Sequence, residues 1–199
     1  MNDAQRGFSF SKDAPLDMRF NQSKGKKVSE YLNRLPEEEI EKILRVYGQE
    51  KFSKRIAKNI IKYRKDHIIK NTFELVNIIN KSVLVNDKNK HNATRSFQAL
   101  RIFVNQELDV LRKVLEKSYE ILAPKGRLLL ITYHSLEDKV IKDFLIYNDQ
   151  YLSAPRKMPI KPDFMKKMFN LIKKIKPSED EIAFNPRSRS AKLNVLEKQ

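Results

Sequence analysis

The sequence predicts an α/β protein with a small all-helical part ahead of a few strands. Residues 128–133 form a continuous apolar and β-branched run, too short for an independent helix and entered through Pro124, Lys125 and Gly126. A run without alternation is expected to be a strand covered on both faces, as in a parallel sheet. Residues 27–85 carry helical periodicity with short turns and no strand pattern. Only two further strand candidates follow, at 169–175 (a helix end is the alternative) and 192–197.

In a sheet of the parallel kind, chemistry sits in loops at the carboxyl ends of strands. Here that loop is His134-Ser135-Leu136-Glu137-Asp138. His134, Glu137 and Asp138 are therefore the candidate catalytic residues. Ser135 followed three residues later by Asp138 is close to a capping box, so capping is the expected role of Ser135.

Composition narrows the partners. The 199 residues include 41 Lys and Arg against 25 Asp and Glu, a net charge of +16. That excess points to a polyanion, nucleic acid first, with Lys-rich solvated helices as the alternative. The absence of Cys excludes a disulfide framework and a thiolate metal site. The three His, at 67, 91 and 134, show no HExxH spacing, so no metal is expected. The start MNDAQRGFSF has no apolar h-region, and no run approaches the roughly 18 apolar residues of a membrane span. A cytoplasmic protein with no membrane partner is the expectation. The four Gly, at 7, 25, 48 and 126, form neither a GxGxxG nor a Walker loop.

Taken in order, residues 1–26 look irregular. Phe8 and Phe10, at period two, have two readings: docking on a sheet or stacking on bases. A short amphipathic helix is expected at 27–35. Pro36 opens the next, with Glu37, Glu38 and Glu39 where the helix dipole favours carboxylates. Ile40, Ile43, Leu44 and Tyr47 form its stripe, and Gly48 suits the position that ends it. Residues 51–65 form a helix with Phe52, Ile56, Ile60 and Ile61 inward. Its other face carries Lys51, Lys54, Arg55, Lys58, Lys62 and Arg64 without interspersed acids. That face is either solvated or binds RNA. Asn71 can cap a helix at 72–83 with Phe73, Val76, Ile79 and Val83 inward. A polar loop spans 86–92.

On a helix at 94–105, Arg95, Gln98, Arg101 and Asn105 fall close to one face and Phe97, Leu100 and Val104 on another. The polar row either positions phosphates and base edges or cements two parts of the fold. Residues 106–122 continue as helix, with Leu108, Leu111, Leu115, Ile121 and Leu122 apolar. A helix follows the strand-end loop at 137–147. Residues 148–165 are Pro-containing and irregular, and Ser178 starts an acidic turn.

Several stretches of this sequence, RGFSF, APLDMR, YGQEKFSKRIAKNII, ATRSFQALRIFVNQEL, LAPKGRLLLITYHSLED and NPRSRSAKL, resemble in order and spacing the ribosomal RNA small subunit methyltransferase H (MraW) family. The resemblance runs from about residue 2 to 198. It implies N4-methylation of a cytidine in the decoding region of 16S small-subunit ribosomal RNA, with S-adenosylmethionine as methyl donor and the ribosomal RNA or 30S subunit as partner. It implies a partial Rossmann-like methyltransferase sheet with an all-helical inserted domain. Residues 1–11 would be a loop of the methyltransferase domain, 12–105 the substrate-recognition insert and 106–199 the carboxyl-terminal half of the methyltransferase domain. The cationic helix face and the polar row of 94–105 would then contact RNA.

Two local departures stand out: Asn92 where the family usually has Pro, and Lys125 where it usually has Gly. The larger one is at the front. Family members carry a glycine-rich strand-turn-helix for S-adenosylmethionine, then an Asp-Leu-Gly-Val-Ser-Ser-Pro loop, before the RGFSF motif. No cofactor-binding residue is therefore expected in this sequence, which would be a carboxyl-terminal portion, inactive alone and open to a complementing amino-terminal chain. A different expectation is a non-catalytic basic RNA-binding module or decayed remnant.

Overall fold

The computed structural model describes residues 4–84, 91–147 and 168–199. The expected irregular stretch at 148–165 and most of the loop at 86–92 lie outside the described residues. The chain divides into two compact units, Met1–Glu107 and Leu108–Gln199.

The first unit is helical: α1 (Val28–Arg34), α2 (Glu37–Gly48), α3 (Ser53–Tyr63), α4 (Thr72–Ser82) and α5 (Ala93–Asn105), after an irregular lead with one 3-10 turn at Ala4–Arg6. Pro36 directly precedes α2, and three glutamates occupy its first turn. The core gathers one face of each helix: Ile40 and Leu44, Ile56 and Ile60, Leu75 and Ile79, and Phe97 and Leu100, with Leu16 and Met18 from the lead. Burying these apolar faces is what holds short helices that would be marginal alone.

Three local expectations change. Phe73 points outward, 44% exposed, and α4 buries Thr72, Leu75, Val76 and Ile79 instead. The reason is Thr72, whose hydroxyl donates to the Lys12 carbonyl at 2.8 Å and accepts the Ala14 N–H at 3.1 Å, fixing how the helix starts. Gly48 does not supply the left-handed residue that ends α2; Gln49 does, with φ 50°. Gly48 instead lets α5 approach, since a Cβ there would sit 2.6 Å from the Arg95 carbonyl oxygen. Phe8 and Phe10 dock, but on side chains of the helical unit rather than on a sheet. Phe8 stacks on Phe20 at 5.6 Å, and Phe10 stacks on His91 at 4.6 Å and meets Phe97 edge-on at 5.7 Å.

α5 does not run on into α6 (Glu107–Ile121): Gln106 breaks it with φ 51°. In the second unit, β1 (Arg127–Thr132), β2 (Phe169–Ile175) and β3 (Lys192–Lys198) form one sheet in the order β1-β3-β2, with α7 (Ser135–Tyr147) and α8 (Glu179–Phe184) between them in sequence. Residues 169–175 are thus a strand, and the acidic turn after Ser178 is a short helix capped by the Ser178 hydroxyl on the Glu181 N–H at 3.2 Å. Both strand pairings are antiparallel.

The expectation of a central, doubly covered strand in a parallel sheet is therefore corrected. Among the described residues β3 is central, β1 is an edge, and β1 alternates: Leu129 and Ile131 are 59% and 60% exposed while Thr132 is buried. A run of uniform hydrophobicity hides the period-two pleat that decides which residues a single covered face takes. The covered face is tied to both flanking helices. Phe169 packs edge-on against Tyr119 of α6 and near Phe144 of α7. Lys198 donates to the Tyr119 and Leu122 carbonyls at 2.7 and 2.8 Å, closing the end of α6. Lys125, in the turn into β1, takes φ 64°, a conformation that explains a preference for glycine there. Asn92 has φ −53°, which proline also adopts.

Candidate functional site

The loop after β1 brings His134, Glu137 and Asp138 together at the start of α7. The first four N–H groups of a helix have no partner within it. Glu137 reaches back and accepts the N–H of Tyr133 at 2.7 Å and of His134 at 3.2 Å. His134 Nδ1 in turn accepts the Glu137 N–H at 3.3 Å. This reciprocal pair is a capping box with His134, not Ser135, in the capping position, one residue earlier than expected.

Because Nδ1 accepts, the neutral imidazole carries its proton on Nε2, which lies 3.6 Å from Glu137 Oε1. Asp138 accepts the Thr132 hydroxyl at 2.7 Å and an ion-paired Lys192 Nζ, so one carboxylate joins β1, α7 and β3. Burial pushes the Asp138 carboxyl up. The hydrogen bonds from Lys192 and Thr132 and the charges of Lys192 and Lys174 outweigh it and hold the group below its ordinary value.

In the helical unit, Lys54, Arg55, Lys58 and Lys62 are all exposed along α3, and Lys51 is exposed in the turn before it. Arg64, expected on the same face, turns inward and donates to the Leu32 and Leu35 carbonyls at 2.7 and 2.6 Å, closing the end of α1. The polar row of α5 is half-buried. Arg101 makes a two-point ion pair with Glu107 at 2.8 and 3.0 Å. Asn105 donates to the Met18 carbonyl at 2.8 Å and accepts the Phe20 N–H at 2.6 Å, pinning the buried, left-handed Met18. Arg95 and Gln98 complete the row.

Phe184, 93% exposed at the end of α8, was given no role by the sequence, and Arg187 and Arg189 just beyond it, known there only as part of the NPRSRSAKL motif, are exposed too. The signal was present as an aromatic followed by the Asn-Pro-Arg-Ser-Arg-Ser run, a pairing suited to single-stranded nucleic acid.

The chain matches the MraW methylase family over residues 1–199 and belongs to it. Among curated relatives, the protein named ribosomal RNA small subunit methyltransferase H from Janthinobacterium sp. (strain Marseille) is 43% identical over 199 residues, and that of the same name from Herminiimonas arsenicoxydans is 44% identical. Each alignment covers 100% of this chain and 62% of the relative.

Methylases of this kind imply S-adenosylmethionine, and three of the four glycines of this chain do not open toward a ligand. A cofactor cradle needs backbone opened by glycine toward the ligand. Gly7, Gly48 and Gly126 are each closed by this chain's own backbone: an added Cβ would meet the carbonyls of Pro15, Arg95 and Ala123 at 2.3, 2.6 and 2.8 Å. Gly25 alone is open: an added Cβ would meet no atom within 4 Å, while its carbonyl accepts from Arg19 Nη1 at 2.9 Å. Among the described residues, no helix is long and apolar enough to cross a membrane.

Proposed function

We propose that this chain carries the RNA-recognising helices and part of a Rossmann-like catalytic sheet of an S-adenosylmethionine-dependent methyltransferase. Its product would be N4-methylcytidine in the decoding region of 16S small-subunit ribosomal RNA, made in the cytoplasm on ribosomal RNA or the 30S subunit. The carrying observation is the family match along the whole chain, with two relatives named as ribosomal RNA small subunit methyltransferases. The chain spans 62% of those relatives' length. In this reading the cofactor is held by the part of the relatives that the chain does not match.

The amino group at N4 of cytosine is a weak nucleophile because its lone pair is delocalised into the ring. Catalysis must position it and take up its proton. His134, whose Nε2 is buried in this chain, would orient the base through Nε2–H, and Glu137 would polarise the amino group with its carboxylate. Asp138, held ionised by Lys192, fixes the helix that presents both. Lys54, Arg55, Lys58 and Lys62 hold the RNA backbone with Arg95 and Gln98, while Arg101 and Asn105 shape that row through their own partners.

One observation favours a non-catalytic RNA-binding module: all three loop side chains have structural partners at the strand–helix junction. A chimera separates the readings, with the unmatched part of the Janthinobacterium relative joined to this chain. It should transfer labelled methyl groups to cytidine N4 in small subunits. His134→Ala should slow single-turnover transfer per folded molecule by roughly 30- to 1,000-fold, the effect of losing one positioned hydrogen bond, beyond the modest fall in melting temperature that losing the α7 cap brings. A chimera that folds without methylating N4, or a variant with full turnover, overturns the catalytic reading.

A further inference from the structure

A cleft of about 380 Å3 opens in the helical unit, lined by α3, α4 and the turn after α3. This is within the roughly 300–1,000 Å3 range of small-ligand sites. Three kinds of group meet in it. The rings of Tyr63 and His67 lie 5.2 Å apart at 30°, forming one aromatic surface. Lys62 from α3 and Lys81 from α4 place exposed ammonium groups on opposite sides. Asn59 and Asn77 supply amides. Asn59 is oriented: its Nδ2 donates to Ser82 Oγ at 2.8 Å, and that hydroxyl donates on to the Ile78 carbonyl at 2.6 Å.

The cleft also continues the cationic face. Lys54, Lys58 and Lys62 recur every four residues and so form one stripe along α3, and its last member lines the cleft. A polynucleotide backbone following that stripe arrives where an aromatic surface and amides are waiting. Bases in a duplex are stacked and their edges hidden, whereas an unstacked base offers a face to an aromatic ring and an edge to amides.

We propose that this cleft binds one unstacked nucleotide of a single-stranded RNA segment. Its phosphate lies by Lys62 and Lys81, its base against Tyr63 and His67, and its edge toward Asn59 and Asn77. Asp66, also in the lining, accepts from an exocyclic amino group and so favours cytosine over uracil. This inference rests on the RNA-binding reading and adds a site to it.

The test is fluorescence anisotropy on the full chain with labelled oligocytidylate and oligouridylate of equal length. His67 and Lys81 are exposed and stand outside the α3 stripe, so His67→Ala and Lys81→Ala leave the core intact. His67→Ala should weaken oligocytidylate binding by roughly 5- to 100-fold without changing its salt dependence, as loss of stacking does. Lys81→Ala should reduce the slope of log K against log salt by about one phosphate contact. Asp66→Asn should erase the preference for cytosine. If both alanine variants bind as the parent does while charge reversal on α3 abolishes binding, the cleft is not a nucleotide site and the RNA reading survives. If the parent chain binds neither oligonucleotide, the RNA reading falls and the cleft with it.

Discussion

Asp138 and Asp17 illustrate what a single carboxylate does in each unit. Asp17 pairs with Arg19 through two contacts, Nε to Oδ1 at 2.7 Å and Nη2 to Oδ2 at 2.9 Å. Burial pushes its carboxyl up, but the hydrogen bonds and charge of Arg19, with Lys27 nearby, leave it below the ordinary value. Asp138 is held low in the same sense. A carboxylate whose folded pKa lies below its unfolded value of about 3.9 stabilises the fold above that pH. The contribution is lost as pH falls through the folded value. Urea unfolding should therefore give stability that changes little between neutral pH and about pH 5 and declines below about pH 4. Asp138→Asn should be less stable at neutral pH and show a shallower acid decline. An acid decline as steep as the parent's would remove Asp138 from this account.

The fit between α2 and α5 depends on one missing methyl group. A Cβ at Gly48 would press on the Arg95 carbonyl oxygen at 2.6 Å and the Ala99 Cβ at 3.1 Å. Backbone does not yield as a flexible side chain does, so the helices would have to part. Gly48→Ala improves helix propensity by up to about 1 kcal/mol, yet overpacking typically costs about 1–3 kcal/mol. Packing should win. The variant is expected to melt below the parent in calorimetry, and a higher melting temperature would show that the two helices tolerate the added methyl. The same reasoning explains α3, where exposed lysines alternate with buried Ile56, Ala57 and Ile60. The helix gains its stability from one face and leaves the other to charge.

Over the whole chain, a net charge of +16 favours any polyanion, and the α3 face concentrates part of it. Binding to single-stranded ribosomal RNA fragments should weaken linearly in log K against log salt, by about 0.7 per phosphate contact. Replacing Lys54, Arg55, Lys58 and Lys62 together by Glu should lower affinity more than about tenfold and flatten that slope. These side chains are exposed, so circular dichroism should show an unchanged fold. Parent-like affinity in that variant would return the face to the solvated class.

Much of this was legible in the order of residues. Periodicity placed α1 to α5 to within a few residues, because an amphipathic stripe is a local property. The motifs pointed to the MraW family on their own, because matching in order along a whole chain is specific. The strand-end loop was also legible, since polar residues released after an apolar run mark a strand's end. Tertiary structure decided the rest. Among the described residues it set β1 at an edge with one face covered, because pairing with β3 chooses which side of the pleat is buried. It gave the cap to His134, turned Arg64 and Asn105 to structural use and Phe73 to the surface. It joined Tyr63, His67 and Lys81 into one cleft. These outcomes depend on contacts between residues distant in sequence, and no local pattern encodes where a distant carbonyl, hydroxyl or ring will lie.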